Sequence, residues 1–303
     1  MNDTMLTHEA LLAMIEEGLA AAVPAEQARY MGGHTPALLA EAMRYSLLSG
    51  GKRLRPALLL RTVEMLGGDL QEALAPACAL EMIHTYSLIH DDLPGMDDDD
   101  LRRGRPTNHK AYGVGIAILA GDGLLNAAYE LMLRNALRYP SHLDRHTAAM
   151  EEIARRAGTS GMIGGQCMDL LSEGTAGDES LLSYIHLHKT ADLFTAPVVA
   201  GGLLCGADAG QLAALERYGR SVGLAFQIVD DLLDEEGDAA AMGKATGADA
   251  RRGKLTWPAL LGMDAARQKA QALRQEAVGA LQPFGDAAKE LLSMADRLTS
   301  RKA

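Results

Sequence analysis

Aromatic residues are scarce in this chain: they make up 4% of its 303 residues, with a single tryptophan. Alternating apolar and polar stretches between hairpin turns, which would indicate β-strands, are also lacking. Apolar residues make up 48% of the chain and recur instead at helical spacing, as in Leu11, Ile15 and Leu19. Breaks rich in glycine and proline separate roughly ten such segments. We therefore expect an all-α protein with a single domain over residues 1–303.

Cysteine is scarce as well, and a basic N-terminus is missing. The three cysteines, Cys78, Cys167 and Cys205, are odd in number and lack metal-ligand spacing, which favours free thiols in a reducing compartment. The first residues are acidic and predict an amphipathic helix, not a signal peptide. No uncharged apolar run reaches the ~18 residues that a membrane span needs. A soluble, cytoplasmic protein without a membrane span is the expectation.

Positive charge is in deficit, because the formal net charge is −11. This charge argues against nonspecific binding to nucleic acid or to an anionic membrane. A small anionic substrate remains compatible with it, since metal ions and a few local cations can reverse the sign of the potential inside a cleft.

Acidic residues are concentrated in two clusters. The first, in LIHDDLPGMDDDDLRRG (residues 88–104), has six aspartates within ten residues, followed by two arginines. Asp91 and Asp92 end an apolar helical run, and the Pro94–Gly95 pair should turn the chain so that Asp97 returns near Asp91. For residues 98–100, a solvated loop is an equally good interpretation.

The second cluster, FQIVDDLLDEEGD (residues 226–238), places Asp230 and Asp234 one helical turn apart, with Asp231 beside them. The apolar neighbours are those of a buried helix, in which carboxylates need cations. Both clusters offer only oxygen ligands, so hard cations are expected and Mg²⁺ is favoured. Calcium is disfavoured because the EF-hand spacing and its closing glutamate are missing.

Cations lie in separate short blocks. The block GGKRLRP (residues 50–56) is not a nucleotide P-loop, because Arg53 stands where serine or threonine is required. Glycine beside clustered lysine and arginine suits a diphosphate, with a surface basic patch as the alternative. Residues 237–254 combine glycine, alanine and four cations, so they predict either a lid that closes on phosphate or a solvated loop.

Histidines do not form a metal site by spacing. His186 and His188 would not share a helical face, so we interpret them as packing or surface residues. His90, beside the aspartates, is a candidate general base, but a hydrogen-bonding core histidine is the simpler interpretation.

Six blocks in this order resemble the trans-isoprenyl diphosphate synthases, and above all the bacterial-type farnesyl diphosphate synthases: GGKRLRP, EMIHTYSLIHDDLPGMDDDDLRRGRPTNH, GQCMDL, HKT, FQIVDDLLD and GKATGAD…GKLTWP. The resemblance implies a homodimeric enzyme of the isoprenoid synthase fold, a single large helical bundle around a deep central cavity. Such an enzyme joins isopentenyl diphosphate head-to-tail to an allylic diphosphate, dimethylallyl or geranyl, with three Mg²⁺ ions per active site.

The resemblance also implies roles for individual residues. The metal ligands would be Asp91, Asp92, Asp97, Asp230, Asp231 and Asp234. The allylic diphosphate would be bound by Arg102, Lys189, Lys244 and Lys254. Isopentenyl diphosphate would be bound by Gly51, Lys52, Arg55, His84 and Arg103, and its apolar group would pack on Phe226. The reacting centre would be lined by Thr190, Gln166 and Gln227; catalysis itself would rest on Asp91, Asp92, Lys189, Thr190, Gln227 and Asp230.

Product length follows from the residues before the first aspartates. Tyr86 lies five residues before Asp91, about 7.5 Å back along a helix, where with Ser87 it would limit a growing apolar chain. An aromatic there favours the fifteen-carbon product in bacterial members of the family, with geranylgeranyl or geranyl diphosphate as alternatives. A class I terpene cyclase is disfavoured by the GGKRLRP block, and a non-catalytic partner subunit by the intact aspartates.

Overall fold

The computed structural model describes residues 6–23, 29–30, 33–175, 177–236 and 254–300. Within these ranges the predicted all-α class is confirmed, since the only strands are two pairs of two residues each. The chain packs as two compact units, Met1–Leu60 with Asp69–Met150 and Arg61–Gly68 with Glu151–Ala303. The single domain around a central cavity stays a prediction.

The first unit is built on two long helices, α4 and α6, that pack against each other. Its helices are α1 (His8–Ala22), α2 (Ala37–Leu47), the start of α3 (Leu54–Met65), α4 (Leu70–Asp91), α5 (Asn108–Tyr112), α6 (Val114–Arg138), a 3₁₀ turn (Pro140–His142) and the start of α7 (Leu143–Ala157). Its strands pair as antiparallel ribbons, β1 (Arg29–Tyr30) with β2 (Gly33–His34) and β3 (Leu101–Arg102) with β4 (Arg105–Pro106).

Helix α4 positions the first acidic cluster. It begins at Asp69, whose carboxylate accepts the backbone N–H groups of Gln71 and Glu72 and so caps the first turn. Most of its next residues are buried, and its last residue is Asp91. A capped helix of 22 residues therefore fixes where the aspartates begin.

Helix α6 is long and apolar enough to cross a membrane by length and composition, with 39% of its most apolar window buried. Long core helices of soluble proteins meet the same test, so one such helix is weak evidence for a span. The residues it leaves exposed include Val114, Ile118, Leu119, Leu133 and Leu137.

The second unit is built around α11, which packs against α10 and α13. Beyond the ends of α3 and α7, its helices are α8 (Met162–Ser172), α9 (Glu179–Ile185), a π-helix (His186–Ala191), α10 (Asp192–Leu204), α11 (Ala209–Glu236), α12 (Trp257–Leu261), α13 (Met263–Ala280), a 3₁₀ segment (Gln282–Ala288) and α14 (Lys289–Thr299). An apolar cluster joins α9, α11, α12 and α13 through Leu182, Ile228, Leu232, Trp257 and Ala266.

Arg53, in the block GGKRLRP, is a structural cation and not a surface one. Its side chain is 1% exposed; its Nε lies 2.7 Å from a Glu16 carboxylate oxygen, and its Nη1 lies 2.9 Å from Glu81 Oε1. Its Nη2 also donates to the carbonyl oxygen of Leu47. Because these contacts satisfy a buried charge, Arg53 joins α1, α3 and α4 within the first unit.

Replacing Arg53 by methionine should lower the free energy of unfolding by about 3 kcal/mol or more, because the buried carboxylate of Glu81 loses its counter-ion. The matched control is Lys110→Met, which removes a cation from an exposed pair with Asp100 and should leave the free energy of unfolding nearly unchanged. Urea unfolding followed by circular dichroism measures both. Equal losses in the two variants would contradict the structural role of Arg53.

Candidate functional site

The first aspartates lie at a tight turn after α4. The backbone N–H of Asp97 donates to the carbonyl oxygen of Asp91 at 2.7 Å, so the chain returns as the Pro94–Gly95 pair predicts. Farther along the loop, Asp100 pairs with Lys110 at the surface. The loop interpretation thus fits Asp100, while Asp91 and Asp97 are brought together.

Asp92 and Arg102 form an ion pair within the same unit. The Arg102 Nε lies 2.9 Å from both carboxylate oxygens of Asp92, and its Nη2 lies 2.6 Å from Oδ1. Burial raises the pKa of Asp92, which is 3% exposed, and Arg102 only partly offsets this effect. A predicted metal ligand and a predicted diphosphate cation therefore contact each other directly.

The predicted isopentenyl diphosphate residues form a crowded group of cations. Burial lowers the pKa of Arg55 to about 10, and the charge of Arg103 lowers it further against the opposing effect of Glu81. Burial, followed by the charges of Arg55 and Arg103, also holds the pKa of His84 well below its ordinary value, so this histidine is neutral at neutral pH. Cations held this close together produce a positive potential, which attracts an anionic ligand.

Gly51 lets the backbone lie against this group. A Cβ placed on Gly51 would lie 2.8–2.9 Å from the guanidinium atoms of Arg103, and its φ of +142° disfavours any other residue. Arg103 also donates to the carbonyl oxygen of Gly50. The two glycines before Lys52 therefore place a backbone oxygen and a guanidinium side by side.

The predicted chain-length residues lie in the last two turns of α4, where Tyr86 is buried and Ser87 is half-buried. Tyr86 is 6% exposed and stands edge-on to the His90 ring at 5.7 Å. Among the residues that the structure describes, the Tyr86 hydroxyl has no hydrogen-bond partner. Ser87 donates to the carbonyl oxygen of His84, and His90 Nε2 lies 3.1 Å from the carbonyl oxygen of Ile118. The hydrogen bond predicted for His90 is present, but its side chain is 27% exposed and does not lie in the core.

In the second unit, the predicted reacting-centre residues lie on or beside the π-helix. The Lys189 ammonium contacts a carboxylate oxygen of Asp169. The Thr190 hydroxyl donates to Gln227 Oε1 at 2.8 Å. The Gln166 side-chain oxygen is buried and has no hydrogen-bond partner within the described part of the chain.

The second set of aspartates lies on α11. Asp230 is half-buried, while Asp231 and Asp234 are 3% and 5% exposed. Asp231 Oδ1 accepts from Gln227 Nε2 at 2.9 Å, and its Oδ2 accepts from the backbone N–H of Trp257 at 3.1 Å. On the same helix, the Phe226 ring packs against Phe194 with centroids 4.9 Å apart. The carboxylate of Asp231 is thus engaged by N–H donors, and its metal role stays a prediction.

Asp169 is a functional residue that the sequence analysis missed. Its Oδ2 contacts the Lys189 ammonium and lies 3.9 Å from that of Lys254. Gly165 makes this approach possible, since a Cβ there would lie 2.2 Å from the backbone nitrogen of Lys189. The signal was the acid in GQCMDL, a block otherwise noted only for Gln166. Lys244 and most of residues 237–254 lie outside the described residues.

The donors fit Mg²⁺ in kind, because carboxylate oxygens are ligands that this hard cation prefers. Among the described residues, no three acidic, histidine or cysteine side chains are gathered into a complete metal site. Mg²⁺ is commonly bound by only one or two carboxylates, with waters and substrate phosphates as its other ligands. Asp91 with Asp97, and Asp230 with Asp234, offer this partial set of oxygens.

Comparisons with known proteins agree with these features. The family model for polyprenyl synthetases matches residues 36–292. The chain is 51% identical to a farnesyl diphosphate synthase of Geobacillus stearothermophilus over 235 residues, 77% of this chain and 78% of that protein. It is 46% identical to geranylgeranyl pyrophosphate synthase 11, chloroplastic, of Arabidopsis thaliana over 272 residues, 88% and 75% of the two chains.

A solved FPP/GFPP synthase from Zymomonas mobilis has a TM-score of 0.84 and 35% identity, covering 96% of both chains. The names of these relatives differ in product length but agree on the class of reaction. The chain therefore belongs to the polyprenyl synthetase family and is a trans-prenyltransferase.

Proposed function

We propose that this prenyltransferase condenses isopentenyl diphosphate with dimethylallyl and then geranyl diphosphate to give farnesyl diphosphate. The observation that carries the proposal is geometric: the Arg103 guanidinium lies against the backbone of Gly50 and Gly51, and Arg55 is close enough for the charge of Arg103 to lower its pKa. Arginine side chains gathered at a glycine backbone suit an anion with several oxygens, because each guanidinium can donate charge-assisted hydrogen bonds. We assign isopentenyl diphosphate to these arginines, with Lys52, Gly51 and His84.

The allylic diphosphate is assigned to Arg102, Lys189 and Lys254, together with Lys244 from outside the described residues. Each described cation contacts a carboxylate in this structure, Asp92 or Asp169. A diphosphate can replace a carboxylate as the partner of the same N–H groups, because both present oxygens to charge-assisted hydrogen bonds. The ion pairs thus keep these cations placed before the substrate arrives.

The reaction breaks the allylic carbon–oxygen bond, and the bonding electron pair leaves with the diphosphate. Bound Mg²⁺ supplies electrostatic stabilisation of that departing charge. Lys189, Lys254 and Arg102 stabilise the same charge more strongly in the transition state than in the ground state. The isopentenyl double bond then forms the new carbon–carbon bond, and the lost proton goes to the released diphosphate. His90, already hydrogen-bonded to a backbone carbonyl, need not act as a base.

The fifteen-carbon product is proposed on the position of Tyr86. Its ring is buried on the helix that ends at Asp91, where it would block an apolar chain growing from the metal site. Relatives named for geranylgeranyl products leave the twenty-carbon product as the second candidate.

A homodimer is part of the proposal and is supported by α6. At 100° per residue, Val114, Ile118, Leu119, Leu133 and Leu137 fall within one arc of the helix, and all are more than 40% exposed. An apolar surface of this kind is typical of a protein interface.

Light scattering should give twice the mass of one chain, and Leu137→Glu should shift the measured mass toward that of the monomer. A wild-type monomer would contradict this part of the proposal.

The product assay tests the reaction. Purified protein with Mg²⁺, isopentenyl diphosphate and dimethylallyl diphosphate should give mainly a fifteen-carbon prenyl diphosphate, identified by chromatography after dephosphorylation.

Asp91→Asn and Asp230→Asn should each lower kcat/KM by about a thousandfold, because each removes a carboxylate that supports the metal. Asp264→Asn, at a carboxylate 93% exposed on α13, is the matched control. Activity within a few-fold of wild type in both active-site variants, or only cyclised hydrocarbons from the wild type, would refute the proposal.

Tyr86→Ala should lengthen the product to twenty carbons or more, because it removes the ring from the path of the chain. Tyr86→Phe is the control: it keeps the ring and loses only a hydroxyl without a hydrogen-bond partner among the described residues, so it should keep the fifteen-carbon product. The same chromatography measures both variants. An unchanged product from Tyr86→Ala would place the chain-length limit at another residue.

A further inference from the structure

A chain of buried and half-buried hydrogen bonds in the second unit begins and ends on the π-helix. From Thr190 it passes through Gln227 to Asp231, whose second oxygen accepts the backbone N–H of Trp257. The indole Nε1 of Trp257 then lies 2.9 Å from Nδ1 of His186. The chain thus links the π-helix to α11, α12 and back again.

The end of this chain has one arrangement of protons. An indole N–H can only donate, so His186 Nδ1 is the acceptor and the proton of the neutral ring is on Nε2. The Nε2–H of His186 then faces Asp231, whose Oδ2 lies 3.8 Å from Nε2. Because His186, Asp231 and Trp257 are all at most 6% exposed, these hydrogen bonds have little competition from water.

Trp257 also anchors the segment that carries Lys254. The indole packs in the apolar cluster with Leu182 and Ile228, and the Lys269 ammonium lies 4.0 Å from its ring centroid. The Thr256 hydroxyl caps α12 by accepting the N–H of Ala259. Lys254 lies only three residues before Trp257, so this anchor restricts the position of its backbone.

The two lysines converge on one carboxylate from different elements. Lys189 comes from the π-helix and Lys254 from the segment before α12, and both approach the same oxygen of Asp169. The hydrogen bond between Trp257 and His186 joins these same two elements directly. This hydrogen bond therefore helps to set the distance between the two ammonium groups. A diphosphate must bridge that distance.

We propose that Trp257, His186 and Asp231 are positioning residues that hold Lys189 and Lys254 at the spacing required to bind a diphosphate. In this inference Asp231 acts through its hydrogen bonds to Gln227 and Trp257, not as a metal ligand. The identity of the diphosphate as that of the allylic substrate rests on the proposed function.

The decisive variant is Trp257→Phe, which keeps an aromatic ring and the backbone N–H to Asp231 but loses the indole N–H. We expect the KM for the allylic diphosphate to rise about tenfold, as the loss of one buried hydrogen bond allows. The KM for isopentenyl diphosphate should stay within about twofold, because this variant removes no contact of the residues assigned to that substrate.

Tyr218→Phe is the matched control in the same unit. The Tyr218 hydroxyl is fully buried and donates to the carbonyl oxygen of Leu291 at 2.7 Å, so this variant also loses one buried hydrogen bond from an aromatic donor. It should lower the thermal midpoint as Trp257→Phe does, and it should change neither KM. If both variants change the allylic KM equally, the positioning role is refuted and Trp257 is only a core residue.

His186 provides a rescue experiment should Trp257→Phe fail to fold. His186→Asn keeps an acceptor close to the position of Nδ1, whereas His186→Leu removes it. The asparagine variant should retain most of the wild-type affinity for the allylic diphosphate, and the leucine variant should bind this substrate about tenfold more weakly. Equal affinities in the two variants would contradict the inference.

A binding experiment separates this inference from the proposed function. Calorimetric titration with inorganic diphosphate and Mg²⁺ needs no turnover, and Trp257→Phe should bind about tenfold more weakly than wild type and Tyr218→Phe. If wild type makes no prenyl diphosphate but this difference is found, the positioning role stands and the proposed function falls. If wild type is active and all three proteins bind diphosphate equally, the proposed function stands and the positioning role is refuted. A wild type that binds no diphosphate refutes the inference.

Discussion

Cations that must hold one diphosphate have to lie close together, and cations held close together repel each other and resist burial. The arrangement of the rest of the site depends on how the fold offsets this repulsion and the cost of burying these charges. Around Arg55 and Arg103 burial keeps His84 neutral and lowers the pKa of both arginines, while the charge of Glu81 opposes this lowering. Around Lys189 and Lys254 the fold offsets the repulsion with one carboxylate, that of Asp169.

The two solutions have different consequences for binding. A group of cations with lowered pKa values gains stability when an anion arrives, so its ligand is attracted by a field already in place. Lysines paired with a carboxylate are neutralised until that carboxylate is replaced, so their placement is fixed before binding and less has to be ordered afterwards. Lys189 lies on the π-helix and Lys254 lies three residues before α12, and the hydrogen bond between Trp257 and His186 joins these two elements.

The sequence predicted those parts of the site that depend on local order. Helical spacing indicated the all-α class, and the Pro94–Gly95 pair predicted the return of Asp97 to Asp91, because both are properties of neighbouring residues. The hydrogen bond from Trp257 to Asp231 could not be predicted in this way, whereas Gln227 lies one helical turn before Asp231. The motif FQIVDDLLD shows three carboxylates on one helix, but which of them face N–H donors depends on Trp257, 26 residues later.

Asp169 was missed for a related reason. A lone acid in GQCMDL carries no charge pattern of its own, and its importance comes from two lysines that lie 20 and 85 residues away. Trp257 was likewise only the scarcest residue type in the composition. Long-range contacts of this kind follow from packing, in which Gly165 allows α8 to approach the π-helix closely enough for Asp169 to reach Lys189.

The central claim is that metal and diphosphate bind together, and that aspartates of both motifs are needed for this binding. Electron paramagnetic resonance of Mn²⁺, used in place of Mg²⁺, measures bound metal without any turnover. The account predicts that tight Mn²⁺ binding requires inorganic diphosphate and is lost in Asp91→Asn and in Asp230→Asn. Mn²⁺ binding that is unchanged by diphosphate, or that survives both substitutions, would contradict it.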